Sequence, residues 1–303
     1  MMRISGIGGE FSLIGRLAKR QTGNDIRILK GVGDDCAILD AGNGRCQLVT
    51  ADMMVENDYF NTEWFTPEQI GKKLVECNVS DIFAMGGDPD YGILSMSLKK
   101  DTDLSFVERF YDGVYESCAR HGLRIIGGDT AHGTELVFNI TLLVSAKRAD
   151  VRLRSMAVSG DLICVTGTLG NSAAGLALLQ HNLEGVCSGF LKPRSRSVRE
   201  GQLIARYAHA MIDVSDGLGS EVHHICEQSG TGAIVYAKCI PLSDATQNAV
   251  QYLSTPPQDI ALYGGEDFEL VFTLSPPSEK ELRNKFLDYT PVGKIVDLWG
   301  YTS

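Results

Sequence analysis

The sequence lacks several features that would assign it to a common class of protein. Its eight cysteines form no C-x-x-C pair, which argues against a zinc site and against a small disulfide framework. Several of them, such as Cys164, lie in apolar runs, as reduced core cysteines do. There is no run of about 18 apolar residues, and residues 1–20 lack the continuous apolar core of a signal peptide. We therefore expect a cytoplasmic protein with no membrane partner.

Common catalytic motifs are missing as well. The sequence contains no G-x-x-x-x-G-K-[ST] loop, no H-R-D and D-F-G set and no G-x-S-x-G elbow. These absences exclude a P-loop protein, a protein kinase and an elbow-type serine hydrolase. The formal net charge of −10 argues against general nucleic-acid binding. It does not exclude a phosphorylated ligand, provided that metal ions lie between phosphate and carboxylate.

The helix signals that are present are clear. Thr66-Pro67 is a strong helix start, and the helix that it predicts ends near Gly86. Residues 103–120 carry apolar side chains at helical spacing and predict a second helix. After residue 170 a further helix is expected, capped by Thr168 or Asn171.

Strand and helix patterns alternate along the chain, which predicts an α/β fold. A basic, irregular connection follows Ala149, and strand–turn–helix units resume after it. A chain of 303 residues is long enough for two domains. We therefore expect one domain over residues 1–150 and a second over residues 151–303.

Glycine and aspartate recur beside apolar, strand-like runs. The segments that show this pattern are GVGDD, VTAD, IIGGD, IDVSDG and YGGED, and Asp81 adds a carboxylate from a helix. Aspartates at strand ends are expected to converge at one edge of a sheet. Each segment alone is also explained as a turn or a helix cap. Together they favour a site for several Mg²⁺ ions and a nucleotide phosphate, because Mg²⁺ prefers oxygen ligands.

The segment Ser215-Asp216-Gly217 opens a helix and leaves two interpretations open. Its free N–H groups suit an anion, whereas its side chains also suit simple N-capping. The six histidines form no convincing catalytic cluster.

The motifs together closely resemble the thiamine-monophosphate kinase family, which is related to aminoimidazole ribonucleotide synthetase, selenophosphate synthetase and the hydrogenase maturation factor HypE. The resemblance covers nearly the whole chain. It is carried by GEFSLIGRL, GVGDDCAIL, NVSDIFAMGGDP, IIGGDT, VTGTLGNSAAGLALL, IDVSDGL and GGEDFEL.

The resemblance implies an α/β (α+β) two-domain fold like that of aminoimidazole ribonucleotide synthetase. The N-terminal domain is expected to form a β-barrel across a homodimer, and the C-terminal domain is an α/β layer. The implied reaction transfers a phosphoryl group from ATP to thiamine monophosphate with the help of several Mg²⁺ ions. Because the acceptor phosphate is already ionised, no general base is assigned.

Site residues are carried over by matching motif positions. Residues that resemble the Mg²⁺ ligands are Asp35, Thr50, Ala51 (through its carbonyl), Asp52, Asp81, Asp129, Asp213 and Asp216; Asp34 either ligates metal or only holds the turn. Residues that resemble nucleotide contacts are Gly128, Asp129, Arg154 and Ser215. Residues on the substrate side are Tyr59, Glu266 and Tyr301.

This chain departs from the family pattern at two of these positions and near its C-terminus. Ala51 stands where the family usually has Thr, and Tyr59 where a substrate-binding His is usual. Near the C-terminus the usual His-Phe does not follow Tyr301. Two other functions therefore stay open: a family member that acts on another small phosphate or carboxylate, and a nucleotide-binding maturation or interaction protein without turnover.

Overall fold

The computed structural model describes residues 10–20, 25–183, 185–250, 252–253 and 255–298. Its helices are α1 (Glu10–Ala18), α2 (Pro67–Ala84), α3 (Leu104–His121), α4 (Asn171–Gln180), α5 (Ser188–Leu191), α6 (Val198–Ala205), α7 (Leu218–Ser229), α8 (Asp244–Ala249), α9 (Pro257–Tyr263) and α10 (Pro276–Arg283). Its strands are β1 (Ile28–Lys30), β2 (Ala37–Gly42), β3 (Arg45–Val55), β4 (Tyr91–Leu98), β5 (Arg124–His132), β6 (Val137–Lys147), β7 (Leu162–Thr166), β8 (Met211–Asp213), β9 (Thr231–Val235), β10 (Leu270–Leu274) and β11 (Tyr289–Asp297).

The strands form two sheets. The N-terminal sheet has the order β1-β2-β3-β6-β4-β5, with β4 and β5 parallel and the other neighbours antiparallel. The C-terminal sheet has the order β8-β10-β7-β11-β9 and is antiparallel throughout. The division of the chain at residue 150 falls between the last strand of the first sheet and the first strand of the second, and it stays a prediction.

Helix α2 is the central element, because it contacts β3 and β6 of one sheet and β8 and β10 of the other. Its start is the predicted one: the Thr66 hydroxyl accepts from the Gln69 N–H, and the Gln69 side chain accepts from the Thr66 N–H at 2.8 Å. The helix is buried over most of its surface, as expected of a helix packed between two layers.

Helix α3 packs tightly against α2 and ends at Gly122, whose φ is 73°. The close packing needs Gly113, because a Cβ there would lie 2.0 Å from the Glu68 carbonyl oxygen. Under the two helices, Phe110 and Phe138 stack in the core with ring centroids 4.1 Å apart. The missing side chain at Gly113 therefore allows α2 and α3 to pack at this short distance.

Two local predictions differ from the structure. The Gly170–Ser172 start of α4 is not capped by Thr168 or Asn171: Asp267, far along the chain, accepts from the Gly170 N–H at 2.6 Å and the Ser172 N–H at 3.1 Å. Strand β3 continues to Val55, beyond the predicted end at Asp52, because Met53–Val55 pair with β6. Tyr301 lies outside the described residues. Within them, no helix is long and apolar enough to cross a membrane.

Candidate metal centre and active site

Three carboxylates meet between the two sheets. One oxygen each from Asp35, Asp81 and Asp213 lies within 4.8 Å of the others. Asp35 precedes β2, Asp81 lies on α2 and Asp213 ends β8. The expectation that the aspartates meet at the edge of one sheet is therefore wrong, because α2 brings together residues from two sheets. We call Asp35, Asp81 and Asp213 the acidic centre.

The electrostatics of the acidic centre are unfavourable for carboxylates that have no cation. Burial, together with the charges of Asp52 and Asp213, raises the pKa of Asp81 well above its usual range. Burial and the charge of Asp35 raise the pKa of Asp213 to about 7 and that of Asp52 to about 6. Carboxylates that both lose water and repel one another are stabilised by a divalent cation.

Neutral hydrogen bonds orient these carboxylates. The Thr50 hydroxyl donates to Asp81 Oδ2, and the Ser80 hydroxyl donates to Asp213 Oδ2 at 2.6 Å. The backbone of Asp52 is also held, since its N–H donates to Asn78 Oδ1 at 3.1 Å. The hydroxyls fix the direction of the carboxylates without neutralising their charge.

Arg154 supplies a positive charge at one side of the acidic centre. Its Nη2 lies 2.5 Å from Asp35 Oδ1, and its backbone N–H donates to Asp34 Oδ1 at 3.2 Å. Lys30 Nζ lies 3.4 Å from the other oxygen of Asp34. Burial, and then the charge of Asp35, raise the pKa of Asp34 to about 6. These contacts with Arg154 and Lys30 fit the turn-holding role of Asp34, and its role as a metal ligand stays a prediction.

The donor set fits a hard cation such as Mg²⁺. The second oxygen of Asp35 is buried and has no hydrogen-bond partner among the described residues. The neighbouring ligands are carboxylate and hydroxyl oxygens, which Mg²⁺ prefers over the nitrogen and sulfur ligands of zinc and copper sites. An unpartnered buried carboxylate oxygen is costly unless something binds it. The residues of the acidic centre can thus hold a divalent cation.

The loop with Glu266 docks on the loop with Ser215. The Glu266 N–H donates to the Ser215 carbonyl at 2.9 Å, and the Phe268 N–H donates to the Val214 carbonyl at 3.0 Å. Gly265 permits this approach, because a Cβ there would lie 1.9 Å from the Ser215 carbonyl oxygen. The docking brings a predicted substrate residue beside a predicted nucleotide residue.

The start of α7 does not support the interpretation of Ser215-Asp216-Gly217 as a simple N-cap. In the described part of the chain, no side chain caps the helix at Gly217. The Asp216 N–H instead donates to the buried Glu221 carboxylate at 2.8 Å. Burial, with the charge of Asp213, raises the pKa of Glu221 to about 8. Ser215 and Asp216 are therefore not simple N-caps here.

Four other predicted site residues are exposed to solvent. Gly128 and Asp129 are exposed on β5, with Asp129 in register with Ser95. Strand β5 is three strands away from β3 in the sheet. At the ordinary spacing between neighbouring strands, Asp129 therefore lies roughly 14 Å from strand β3. Asp216 and Ala51 are exposed. The metal roles of Asp129, Asp216 and Ala51 stay predictions.

The substrate-side residues meet at a buried lysine. Lys73 Nζ lies 2.9 Å from Glu266 Oε2 and donates to the Tyr59 carbonyl at 2.9 Å. Glu266 also lines a cavity of about 180 Å³ that includes Lys192 and Arg194. The structure thus links Tyr59 and Glu266, which are far apart in sequence.

Reasoning from the sequence alone missed Lys73, Ser80 and Glu221. Lys73 and Ser80 lie on the predicted helix α2, and both are buried. The available signal was that Lys73 lies between the apolar residues Ile70 and Leu74 of this helix, because a lysine is almost never fully buried without a partner. The partners themselves are 133 to 193 residues away along the chain.

Comparison with known proteins assigns the chain to a family. The family model described as AIR synthase related protein, N-terminal domain, matches residues 33–145, and the corresponding C-terminal domain matches residues 158–302. The thiamine-monophosphate kinase of Aquifex aeolicus is 33% identical, with 95% of this chain and 91% of the relative covered.

Solved structures agree with this assignment. The structure of AaThiL complexed with AMPPCP and TMP has a TM-score of 0.89 and 32% identity, covering 99% of this chain and 94% of that chain. The hydrogenase maturation protein HypE in complex with ATP has a TM-score of 0.72 at 20% identity, over 96% of this chain and 88% of that chain, and shows the fold alone. The expected two-domain fold is confirmed. The chain belongs to the AIR synthase related family and, within it, to the thiamine-monophosphate kinases.

Proposed function

We propose that this chain transfers the γ-phosphoryl group of ATP to thiamine monophosphate, giving thiamine diphosphate and ADP. The observation that carries the proposal is the acidic centre, in which Asp35, Asp81 and Asp213 converge from three separate parts of a chain of this family. The likeness to AaThiL, whose structure contains AMPPCP and TMP, supports the choice of donor and acceptor.

The acidic centre would hold several Mg²⁺ ions through Asp35, Asp81 and Asp213. Candidate additional ligands are Asp34, Thr50, the Ala51 carbonyl, Asp52, Asp129 and Asp216. When bound, Mg²⁺ neutralises phosphate charge and aligns the phosphoryl groups. Thr50 and Ser80 keep two of the carboxylates in fixed orientations through the hydrogen bonds described above. Such preorganised ligands need little rearrangement during the reaction.

The protein's own residues bind and position the reactants. Arg154 is proposed to contact a phosphate oxygen from the side of Asp35, and the Ser215 loop to contact the nucleotide. Glu266 and Tyr59 are proposed to contact the thiamine side, together with Tyr301. A thiamine phosphate carries an ionised oxygen at neutral pH, so the attack needs no proton acceptor. We therefore propose direct in-line transfer without a phosphoenzyme.

We further propose that the active form is a cytoplasmic homodimer built of domains 1–150 and 151–303. Strand β5 is an edge of the N-terminal sheet, and most of its residues are exposed, with Ile126 exposed by 59%. An open edge strand with an exposed apolar side chain is suited to pair with another chain. A second copy of the N-terminal sheet would close such an edge into a barrel.

A coupled assay of ADP release tests the proposed function. We expect ADP release from ATP and Mg²⁺ when thiamine monophosphate is added. Release with another small phosphate or carboxylate instead would identify a family member with a different acceptor. No release with any acceptor, despite ATP binding, would indicate a binding protein without turnover. Isolation of a covalently phosphorylated chain as a competent intermediate would contradict direct transfer.

A further inference from the structure

We infer that Lys73 is a positioning residue for the phosphate acceptor, and that it acts by holding Glu266 and the Tyr59 backbone in place. The inference rests on the proposed function for the identity of the acceptor. The contact between Lys73 and Glu266 is independent of that function.

Lys73 is fully buried on α2, at the junction of the two halves of the molecule. Its Nζ bonds the Tyr59 carbonyl in the N-terminal half and Glu266 in the C-terminal half, each at 2.9 Å. The same ammonium lies 4.2 Å from the centroid of the Phe190 ring and 5.3 Å from that of Phe65. A carboxylate, a carbonyl and two ring faces therefore surround one cation.

These contacts explain why the Lys73 side chain can be fully buried. A buried ammonium is costly unless it is paired and hydrogen-bonded, and ring faces add attraction for a cation. An apolar residue would fill the same volume at lower cost if packing were its purpose. The positive charge of Lys73 therefore serves to hold the Glu266 carboxylate.

Glu266 needs an external constraint. Its φ is 61°, an uncommon conformation for a residue with a Cβ. Its side chain is 25% exposed and lines the cavity with Lys192 and Arg194. A partly exposed glutamate samples several rotamers unless a partner fixes it. The bond from Lys73 selects one of them and keeps the carboxylate at the wall of the cavity, where the acceptor is proposed to bind.

Neighbouring Lys72 offers a matched control. It lies on the same helix and carries the same charge, but it pairs with Glu116 at 2.7 Å, where the two side chains are 33% and 70% exposed. Replacement of Lys72 by methionine removes one positive charge from α2 without touching Glu266. Exposed pairs of this kind contribute little to stability.

Steady-state kinetics of Lys73→Met, Glu266→Gln, their double variant and Lys72→Met test the inference. Loss of a charged hydrogen bond should raise the acceptor KM of Lys73→Met by about 10- to 100-fold. The KM for ATP should stay within about twofold, and Lys72→Met should match the wild type. In the double variant, the acceptor KM should exceed that of Glu266→Gln by no more than about threefold, because both changes remove one interaction.

A purely structural role would give a different pattern. The KM values for both substrates, kcat and the thermal midpoint would then change together, and the two substitutions would be additive. Either that pattern or an unchanged acceptor KM in Lys73→Met would overturn the inference. Methionine is chosen because it fills a similar volume and packs well against Phe65 and Phe190.

Hydrogen–deuterium exchange separates this inference from the proposed function. The amides of residues 264–269 should exchange faster in Lys73→Met than in the wild type and remain unchanged in Lys72→Met. Unchanged exchange in Lys73→Met would show that Lys73 does not hold this loop. A wild-type protein without activity towards thiamine monophosphate would contradict the proposed function, and the exchange result would still decide the role of Lys73.

Discussion

Two of the three acidic side chains of helix α2, Glu76 and Asp81, have opposite surroundings. Around Glu76, the groups in hydrogen-bond contact are the Ser117 hydroxyl, Arg120 Nη1, His121 Nε2 and the N–H and hydroxyl of Ser195, at 2.5 to 3.1 Å. Asp81 accepts from the Thr50 hydroxyl and otherwise faces Asp52, Asp213 and Asp35. One carboxylate is surrounded by donors and the other by carboxylates.

The pKa values differ accordingly. Burial opposes ionisation of Glu76, but His121, Ser117 and Ser195 lower its pKa to about 2. Burial raises the pKa of Asp81, and its neighbours raise it further. The comparison shows that burial alone does not identify a functional carboxylate. Glu76 joins α2 to α3 and to the Ser195 segment, whereas Asp81 faces other carboxylates, an arrangement that a divalent cation would stabilise.

The largest expected effect comes from Asp81→Asn. It should lower kcat by about 1,000-fold, because a bound metal supplies several kcal/mol of charge stabilisation. The same change should raise the free energy of unfolding of the metal-free protein by about 1 to 3 kcal/mol, because folding no longer has to desolvate or protonate that carboxylate. ADP release and urea unfolding in a chelator measure both effects. Asp101→Asn, an exposed control, should alter neither. Near-normal turnover in Asp81→Asn would refute the metal assignment.

Glu76→Gln should act in the opposite direction on stability. Removing one partner from a buried charged network costs about 3 to 5 kcal/mol. The free energy of unfolding should fall by this amount both with and without Mg²⁺, as measured by urea unfolding. Glu116→Gln serves as the matched control, since that side chain is 70% exposed. A loss that disappears when Mg²⁺ is added would place Glu76 with the acidic centre instead.

The pH dependence of stability should separate the two sites further. In the metal-free protein, Asp52 and Asp213 have pKa values of about 6 and about 7, above the ordinary 3.8. The folded state then binds more protons than the unfolded state, so stability should fall by several kcal/mol, and by at most about 7 kcal/mol, as the pH rises from about 4 to 7. Saturating Mg²⁺ should abolish most of this fall.

Glu76 should contribute with the opposite sign. Its pKa is lowered from 4.5 to about 2, so its stabilisation is present above pH 4.5 and is lost as the pH falls towards 2. The free energies of unfolding of the wild type and Glu76→Gln, plotted against pH between pH 2 and pH 8, should therefore converge at the acidic end. Curves that stay parallel would contradict the lowered pKa.

The smallest expected effect is that of Ser80→Ala. Its hydroxyl orients Asp213, and loss of such a supporting bond lowers metal affinity by about 10-fold. Calorimetric titration with Mg²⁺ measures the change. Ser117→Ala, which removes a donor from Glu76, should leave the affinity unchanged. Equal losses in the two variants would mean that both hydroxyls act through the general stability of α2.

The parts of the structure that local rules govern were predictable from the sequence. The capping box at Thr66 and the glycine at position 122 place the ends of α2 and α3, because those signals act within a few residues. The segments with glycine and aspartate pointed to Asp35 and Asp213, and Asp81 was expected to add a carboxylate from α2. The place where these three residues meet was not predictable. It is determined by the position of α2 between the two sheets, which the pattern of strand ends does not contain.

The cap of α4 and the contact of Lys73 depend on partners that are distant in sequence. Asp267 caps α4 from 95 and 97 residues away, and Lys73 meets Glu266 from 193 residues away. A single sequence contains no local pattern for such pairs. Asp129 shows the converse case, since its motif was clear but its strand lies at the far side of the N-terminal sheet.

The central claim is that Asp35, Asp81 and Asp213 bind the divalent cation used in phosphoryl transfer. Anomalous diffraction from crystals grown with Mn²⁺, a non-hydrolysable ATP analogue and thiamine monophosphate tests it most directly. We predict at least one anomalous peak about 2.1 Å from oxygens of these carboxylates and next to the nucleotide phosphates. Bound nucleotide with Mn²⁺ elsewhere, and no peak at the three carboxylates, would contradict the account.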